Sequence, residues 1–284
     1  MAQQWDKEVD VLVVGSGAGG LLAALVAAHG HADVLIVEKA AEWGGTSATS
    51  GGGIWIPGSD QARAAGFEDD LEEAFKYVRG LSADNVPDEN IRAYVNNAAA
   101  MLRWMTANTP VAYAAQPYPD YHAEDPGGSP KGYRTHLPEM LDGKPLGDDL
   151  RTQRMPSPAA SLFGYLNWTF AETYDMLYRP RGWWWRFAIN MARYWLDWPF
   201  RFTSRKDRRL TLGNALTGGL RLALNEKGVP LWLETPLVEL VEQDGRVAGA
   251  VLNRNGRPLR VAARKGVILA AGGFDKSQAT RAAH

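Results

Sequence analysis

One local pattern constrains this chain more than any other: an apolar run, a glycine-rich turn, and a second apolar run that ends in an acid. Val9–Val14 reads as a buried parallel strand. It runs into Gly15-Ser16-Gly17-Ala18-Gly19-Gly20, and a second strand, Asp33–Val37, ends in Glu38 with Lys39 beside it. Gly15 permits the tight turn, Gly17 lets the backbone approach a diphosphate, and Gly20 lets a helix pack on the sheet. The helix N-terminus then offers unpaired N–H groups and a positive dipole end. Glu38 follows Gly17 by the expected roughly 20 residues and can accept ribose hydroxyls. An acid there disfavours a 2′-phosphate, so NADP is not expected. The pattern predicts dinucleotide binding and leaves NAD and FAD both open.

From Val11 to Gly30 no residue is charged, and the length would suit a membrane span. The run changes character, however, from β-branched Val11–Val14 to Ala/Leu-rich Leu21–Ala28, with glycines between. Strand, turn and helix is the better reading. Met1–Asp10 carries no basic n-region, so no secretory signal is expected, and the location expected is cytoplasmic. In 284 residues, 31 basic side chains face 32 acidic ones, and no whole-chain field points to nucleic acid. With no Cys, thiolate zinc sites and iron–sulfur clusters are excluded within the chain, and no metal site is expected.

After Glu38 come Gly44-Gly45-Thr46-Ser47 and then Ser50-Gly51-Gly52-Gly53-Ile54-Trp55-Ile56-Pro57. Late in the chain, Leu237–Val241, an Asp244-Gly245 turn and Val247–Leu252 read as a hairpin. An Asn255-Gly256 turn leads to a short strand at Leu259–Ala262. A further strand, Gly266–Ala271, ends in Ala270-Ala271-Gly272-Gly273-Phe274. This order of motifs resembles the superfamily of succinate dehydrogenase, fumarate reductase and 3-ketosteroid dehydrogenase flavoproteins, over residues 9–57 and about 210–275. The resemblance selects FAD. It implies that the Gly44–Ser47 loop wraps the ribityl and diphosphate region, that Ser50–Gly53 passes beside the isoalloxazine ring, that Val238 meets the adenine through its backbone, and that Ala271 and Gly272 return under the cofactor. Respiratory members attach FAD to a His just before the glycine cluster. Thr46 aligns there, and no His lies between His31 and His122, so non-covalent FAD is expected. The family's substrate-capping domain follows the Ala-Ala-Gly-Gly strand, so the chain reads as truncated or as one piece of a split protein.

Phe67–Arg79 and Asp88–Thr106 read as scaffold helices, the second with Asp88 as N-cap. The loop-rich stretch Pro117–Arg134 holds Tyr118-Pro-Asp-Tyr121 before Pro126-Gly-Gly, which looks like 3-ketosteroid dehydrogenases; there a tyrosine enters the active site. Tyr121 is the candidate and Tyr118 the reserve; the plainer reading is that both pack a loop. Arg179–Arg209 holds five Trp and nine Lys/Arg against Asp197 and Asp207. On a helix, Arg186, Asn190, Arg193 and Asp197 share one stripe, and Trp184, Phe187, Met191, Trp195 and Trp198 the opposite face. Residues 183–198 therefore suit a membrane surface. Packing on an absent half or a dimer partner suits them as well.

The fold expected is α/β: a Rossmann-type FAD-binding domain with a β-meander and a helical, aromatic-rich insertion. Its parts are residues 1–110, an insertion at 111–209, and 210–284. The resemblance implies desaturation next to a ketone in a small hydrophobic, steroid-like substrate. A tyrosinate beyond His284 would take the proton and Tyr121 would assist, with flavin as hydride acceptor and the final electron acceptor unspecified. Two alternatives remain: a fumarate-reductase-like enzyme acting on a dicarboxylate, and a fragment that catalyses nothing.

Overall fold

The computed structural model describes residues 4–273 and 281–282; Phe274 lies outside them. Its centre is a six-stranded sheet, built from β1 (Lys7–Val14), β2 (Val34–Val37), β3 (Leu231–Trp232), β4 (Leu237–Gln243), β5 (Arg246–Arg254) and β6 (Arg257–Leu269). The strand order is β3-β2-β1-β6-β5-β4. The first four run parallel, and β5 and β4 extend the sheet antiparallel. The uncharged run Val11–Gly30 divides as expected, into β1 and helix α1 (Ala18–His29).

Burial on both sides of β1 and β2 explains their unbroken apolar sequences. Val13, Val34 and Ile36 pack on one face with Leu21 and Leu25 of α1. Val9, Leu12, Leu35 and Val37 pack on the other with Ala250, Leu252, Val261 and Ala263 of the meander. The helical layer on the first face also contains α4 (Asp88–Asn108), through Leu102 and Met105, and α7 (Leu212–Glu226), through Leu220 and Leu224. Both meander turns have two consecutive left-handed residues, Asp244-Gly245 and Asn255-Gly256, the geometry that suits the twist of a two-residue hairpin.

Several expected boundaries move. Leu259–Ala262 and Gly266–Ala271 are not two strands: β6 is continuous from Arg257 to Leu269, because β1 pairs along its length and a register shift between Val9 and Val11 absorbs the extra residue near Gly266. The helix expected from Phe67 starts at Leu71, as α3 (Leu71–Leu81), where the Asp70 carboxylate accepts from the Glu72 N–H at 2.8 Å and stops it extending backwards. Asp88 is the first residue of α4 and not its cap; its carboxylate takes Arg79 at 3.1 Å.

The middle of the chain adds smaller elements. Ile54–Trp55, Thr135–Pro138 and Tyr113–Ala115 form a three-stranded antiparallel sheet that joins both sides of residue 110. Beneath it, buried Arg134 pairs with Asp69 at 2.8 Å and Asp120 at 3.1 Å, and Trp55 Nε1 donates to Asp120 at 2.7 Å. Two further helices follow, a short one, α5 (Phe170–Tyr178), and α6 (Trp183–Leu196). Of the polar stripe of α6, Asn190 turns into the protein, while Arg186 and Arg193 stay exposed. Arg186 pairs with Asp175 at 2.6 Å, Asn190 donates to Glu172 at 2.8 Å, and Phe187 and Met191 pack on Trp168 with them. The expected aromatic face is thus divided. Phe187 and Met191 point inward, while Trp184, Trp195 and Trp198 point outward.

The three-stranded sheet also carries a pH-sensitive group. His136 is fully buried, with Nδ1 donating to the Arg134 carbonyl at 2.8 Å and Nε2 accepting from the Ser59 hydroxyl at 2.7 Å. Burial pushes its pKa below the usual imidazole value. As pH falls, the unfolded chain takes up the proton first. This group's contribution is therefore complete above about pH 6.5 and lost below it. The melting temperature is predicted to fall between about pH 7 and pH 5, and to fall less in His136→Gln. Calorimetry at both pH values checks this; identical pH profiles for the two proteins contradict it.

Candidate functional site: a nucleotide cleft at the sheet's carboxyl edge

At the carboxyl ends of β1 and β2 lies a cleft of about 700 Å³, within the range of small-molecule sites. Gly15, Ser16, Gly17, Ala18, Gly19 and Gly20 line it, with Glu38 and Lys39 from the end of β2 and Gly45, Thr46 and Ser47 from the short helix α2 (Gly45–Thr49). Thr235–Leu237 and Ala270–Gly273 complete the wall.

The glycines differ in what they do. A Cβ on Gly15, at φ +109°, would sit 2.2 Å from the Ala270 carbonyl oxygen, and one on Gly20 would sit 2.1 Å from the Gly15 carbonyl oxygen. These two are needed by the protein itself. A Cβ on Gly17 would meet only Ser47 Oγ at 3.5 Å, and one on Gly19 nothing within 4 Å. At Gly17 the backbone is ordinary extended chain, so the empty space there is left for something else. It faces the first turn of α1, whose N–H groups lack helical acceptors. One of them, on Ala18, donates to Ser47 Oγ at 3.0 Å.

Glu38 is buried and does more than wait for a ribose. Its Oε2 accepts from the Ser16 N–H at 3.1 Å and the Ser16 hydroxyl at 2.5 Å, and Oε1 accepts from the Ala40 N–H at 3.0 Å. Ser16 Oγ in turn accepts from the Gly44 N–H at 3.1 Å. One carboxylate thus joins the first turn, the end of β2 and the next loop. With roughly two acceptor sites per oxygen, Oε1 keeps one for a ligand hydroxyl.

Not every residue named from the sequence reaches the cleft. Gly44 lies behind it, turning the chain at φ +104°. Ser50, Gly51, Gly52 and Gly53 lie outside its lining. Gly52 packs against the start of α7, and its carbonyl accepts from the buried Tyr113 hydroxyl at 2.8 Å. Burial pushes the pKa of that phenol up. Leu237 lines the cleft, and its neighbour Val238, expected to act through its backbone, turns its side chain away, 62 % exposed. Tyr121 is 99 % exposed and Tyr118 packs on Phe170, so neither reaches the cleft.

Arg154 lines the cleft and was not expected there. Nothing in its neighbourhood of sequence marks it. Its backbone N–H donates to the Trp43 carbonyl at 2.8 Å, and Asn214 Nδ2 donates to its carbonyl at 3.2 Å. The Lys206 ammonium donates to the Arg151 carbonyl at 2.7 Å and to the Gln153 carbonyl, holding the same turn; burial pushes the pKa of this lysine down. Neither Arg154 nor Lys39 is in an ion pair among the described residues, so two cations stand ready at a cleft whose single lining carboxylate, Glu38, is already engaged.

Open space at Gly17, unpaired N–H groups, two unpaired cations and a spare carboxylate acceptor fit a dinucleotide diphosphate and its ribose. Comparison with known proteins decides which dinucleotide. The family model for the FAD binding domain matches residues 10–284. The chain belongs to this family. FAD is its cofactor. It is 40 % identical over 280 residues to a 3-oxosteroid 1-dehydrogenase of Comamonas testosteroni, covering 97 % of this chain and 48 % of that protein. It is 34 % identical to a 4-oxocyclohex-2-ene-1-carboxylate 5-dehydrogenase of Sinomonas cyclohexanicum, over 93 % of this chain and 44 % of that one. Among solved structures it resembles a 3-ketosteroid delta1-dehydrogenase from Sterolibacterium denitrificans in complex with 1,4-androstadiene-3,17-dione, at 40 % identity and a TM-score of 0.89, over 98 % of this chain and 50 % of that one. The chain spans about half the length of the curated relatives it matches.

Gly17→Val tests whether the open space is for FAD. The backbone there tolerates a side chain, so the protein is predicted to fold but to retain no FAD. In the same titration of apoprotein with FAD, followed by flavin fluorescence, Arg154→Gln is predicted to raise Kd about tenfold, as expected for one lost charge-assisted contact. Wild-type affinity in a folded Gly17→Val protein would show that the cleft is not the site.

Proposed function

We propose that this protein is an FAD-dependent dehydrogenase that introduces a carbon–carbon double bond next to a ketone in an apolar, steroid-like substrate. What carries the reading is identity of 34–40 % along nearly the whole chain with dehydrogenases named for cyclic ketones, one steroidal and one monocyclic. Nothing observed favours the dicarboxylate alternative.

In this reading FAD supplies the hydride acceptor. The chain's own work is to bind and orient it. Gly17, Gly19 and the first turn of α1 receive the diphosphate, with Lys39 and Arg154 as cations. Glu38 accepts a ribose hydroxyl, and Thr235–Leu237 flank the adenine. Thr46 stands at the position that carries the attachment His in respiratory relatives, so FAD is held without a covalent link. Residues 1–110 and 210–284 form the cofactor domain, and 111–209 its insertion. The outer face of 183–198 meets a membrane surface.

Tyr121 is proposed as an assisting hydrogen-bond donor at the substrate. Its hydroxyl makes no hydrogen bond among the described residues, and its loop is anchored on both sides. Asp120 is tied to Arg134 and Trp55, and the His122 N–H donates to the Tyr77 hydroxyl at 3.2 Å. A large side chain standing fully in water on an anchored loop suits a contact with something else, and loops on a rigid scaffold are where site residues are carried.

The test is turnover of a 3-ketosteroid with an artificial electron acceptor, using the protein at the full length of its relatives. Desaturated product is expected, and its absence with every cyclic ketone tried sinks the proposal. Tyr121→Phe should lower turnover on the order of 10²-fold while FAD content stays constant. A loss below about tenfold, within one ordinary hydrogen bond, removes Tyr121 from the site.

A further inference from the structure

The outer surface of the insertion has two properties that belong together. The first is apolar. Trp184, Trp185, Ile189, Trp195 and Leu196 of α6 are all exposed. At 100° per residue they fall within one arc of about 140°. Trp198 and Phe202 continue the patch beyond the helix, and Leu177 and Tyr178 at the end of α5 are exposed as well. The four tryptophans Trp184, Trp185, Trp195 and Trp198 are each 52–61 % exposed. The opposite side of the helix, with Asn190, Tyr194, Phe187 and Met191, packs on the protein, so the tryptophan face is the one left without a partner among the described residues. So concentrated an apolar face marks a contact surface.

The second property is charge. Every carboxylate between Phe163 and Arg209 is used internally. Glu172 pairs with Arg209 at 2.6 Å, Asp175 with Arg186, and Asp197 with Arg201 and Arg208. Asp207 is buried, accepting from the Asn167 and Arg209 N–H groups at 3.1 and 2.9 Å. Arg179, Arg181, Arg193 and Arg205 are in no ion pair among the described residues, and all four are exposed. The surface of this segment therefore shows tryptophan and arginine to water, with no exposed carboxylate among its described residues.

We infer that this face binds the anionic phospholipids of a membrane surface, with the tryptophans seated at headgroup depth and the four arginines on lipid phosphates. This rests on the membrane reading proposed above and adds the lipid chemistry and the residues that select it. Indole rings favour the interfacial layer, where one edge is apolar and the N–H is wet. Arginine stems lie along apolar surface while the guanidinium reaches outward, and Arg179 already stands 5.7 Å over the Trp183 ring. Basic side chains near an anionic surface each add to the attraction. A second copy of the chain fits less well, because a two-fold contact through this face would set four arginines against four. None of the described helices is long and apolar enough to cross a membrane, so the contact is with the surface. An apolar substrate that partitions into lipid would be met there.

The experiment is co-sedimentation of the FAD-loaded protein, at the full length of its relatives so that a face covered by the other half stays covered, with vesicles of phosphatidylcholine alone and of phosphatidylcholine with phosphatidylglycerol. Binding to the anionic vesicles is expected to be about tenfold or more the stronger, and to weaken with salt. The variant Arg179→Gln/Arg181→Gln/Arg193→Gln/Arg205→Gln should lose that preference and keep the weaker binding to the neutral vesicles. Trp184→Ser/Trp195→Ser should lower binding to both, with flavin absorbance reporting that each variant remains folded. Equal binding to the two vesicle types, or an unchanged preference in the four-Gln variant, overturns the anionic-lipid inference and leaves the membrane reading standing. No binding to either type overturns both. A dimer in sedimentation analysis that becomes a monomer in the Trp variant assigns the face to a second copy and likewise overturns the inference.

Discussion

The nucleotide cleft depends on one buried carboxylate. Glu38 accepts three hydrogen bonds, two of them from Ser16 and one from Ala40, and Ser16 passes the connection on to Gly44. Three segments meet at that point, Glu38 and Gly44 lying 22 and 28 residues beyond Ser16. Backbone N–H groups and a hydroxyl aimed at a carboxylate are the stronger class of hydrogen bond. Their effect here is geometric: they fix the turn around Gly17 before any ligand arrives. Glu38 therefore has a structural duty beside its expected role towards ribose. Replacing it would disturb the turn as well as the contact, which makes it a poor single probe of cofactor binding. Gly17 and Arg154 are better probes, because the protein itself makes little use of their side-chain space.

A second buried charge cluster sets up the rest of the site region. Arg134, held between Asp69 and Asp120, ties the loop that carries Tyr121 to the sheet that carries Trp55. Removing one partner of such a cluster leaves an uncompensated buried charge, so it fixes geometry more surely than it adds stability. The insertion that follows solves the opposite problem. The carboxylates of its 163–209 stretch are paired or buried inward, while Trp184, Trp185, Trp195 and Trp198 are left outside, an exposed apolar concentration that marks a contact surface.

Much of this was readable from the sequence where the information is local. The strand, the glycine turn and the acid at the end of β2 lie within about 30 residues, as the βαβ fingerprint requires, and each glycine has a separate steric reason. The meander was readable because Asp-Gly and Asn-Gly specify their turns. The misses are of another kind. Val238 was expected at the adenine through its backbone, and the residue that lines the cleft is its neighbour Leu237; nothing in a strand marks which of two neighbouring residues faces a cavity. Arg154 gave no signal, because it is placed by Lys206 and Asn214, which lie 52 and 60 residues further along. For α6, periodicity grouped Phe187 and Met191 with Trp184, Trp195 and Trp198, but the first two turn inward onto Trp168; the contacts that decide this, with Trp168, Glu172 and Asp175, lie outside the helix. The strand pair at 259–271 looked like two elements because Lys265 and Gly266 interrupt the apolar pattern, while pairing with β1 carries the backbone straight through.

The account rests on FAD held in this cleft by non-covalent contacts alone. The most direct measurement is acid precipitation of the purified flavoprotein, followed by absorbance of pellet and supernatant. Yellow flavin in the supernatant, running as intact FAD on chromatography, is the predicted result. Flavin retained in the pellet would contradict the non-covalent reading drawn from Thr46, and no flavin in either fraction would contradict the account as a whole.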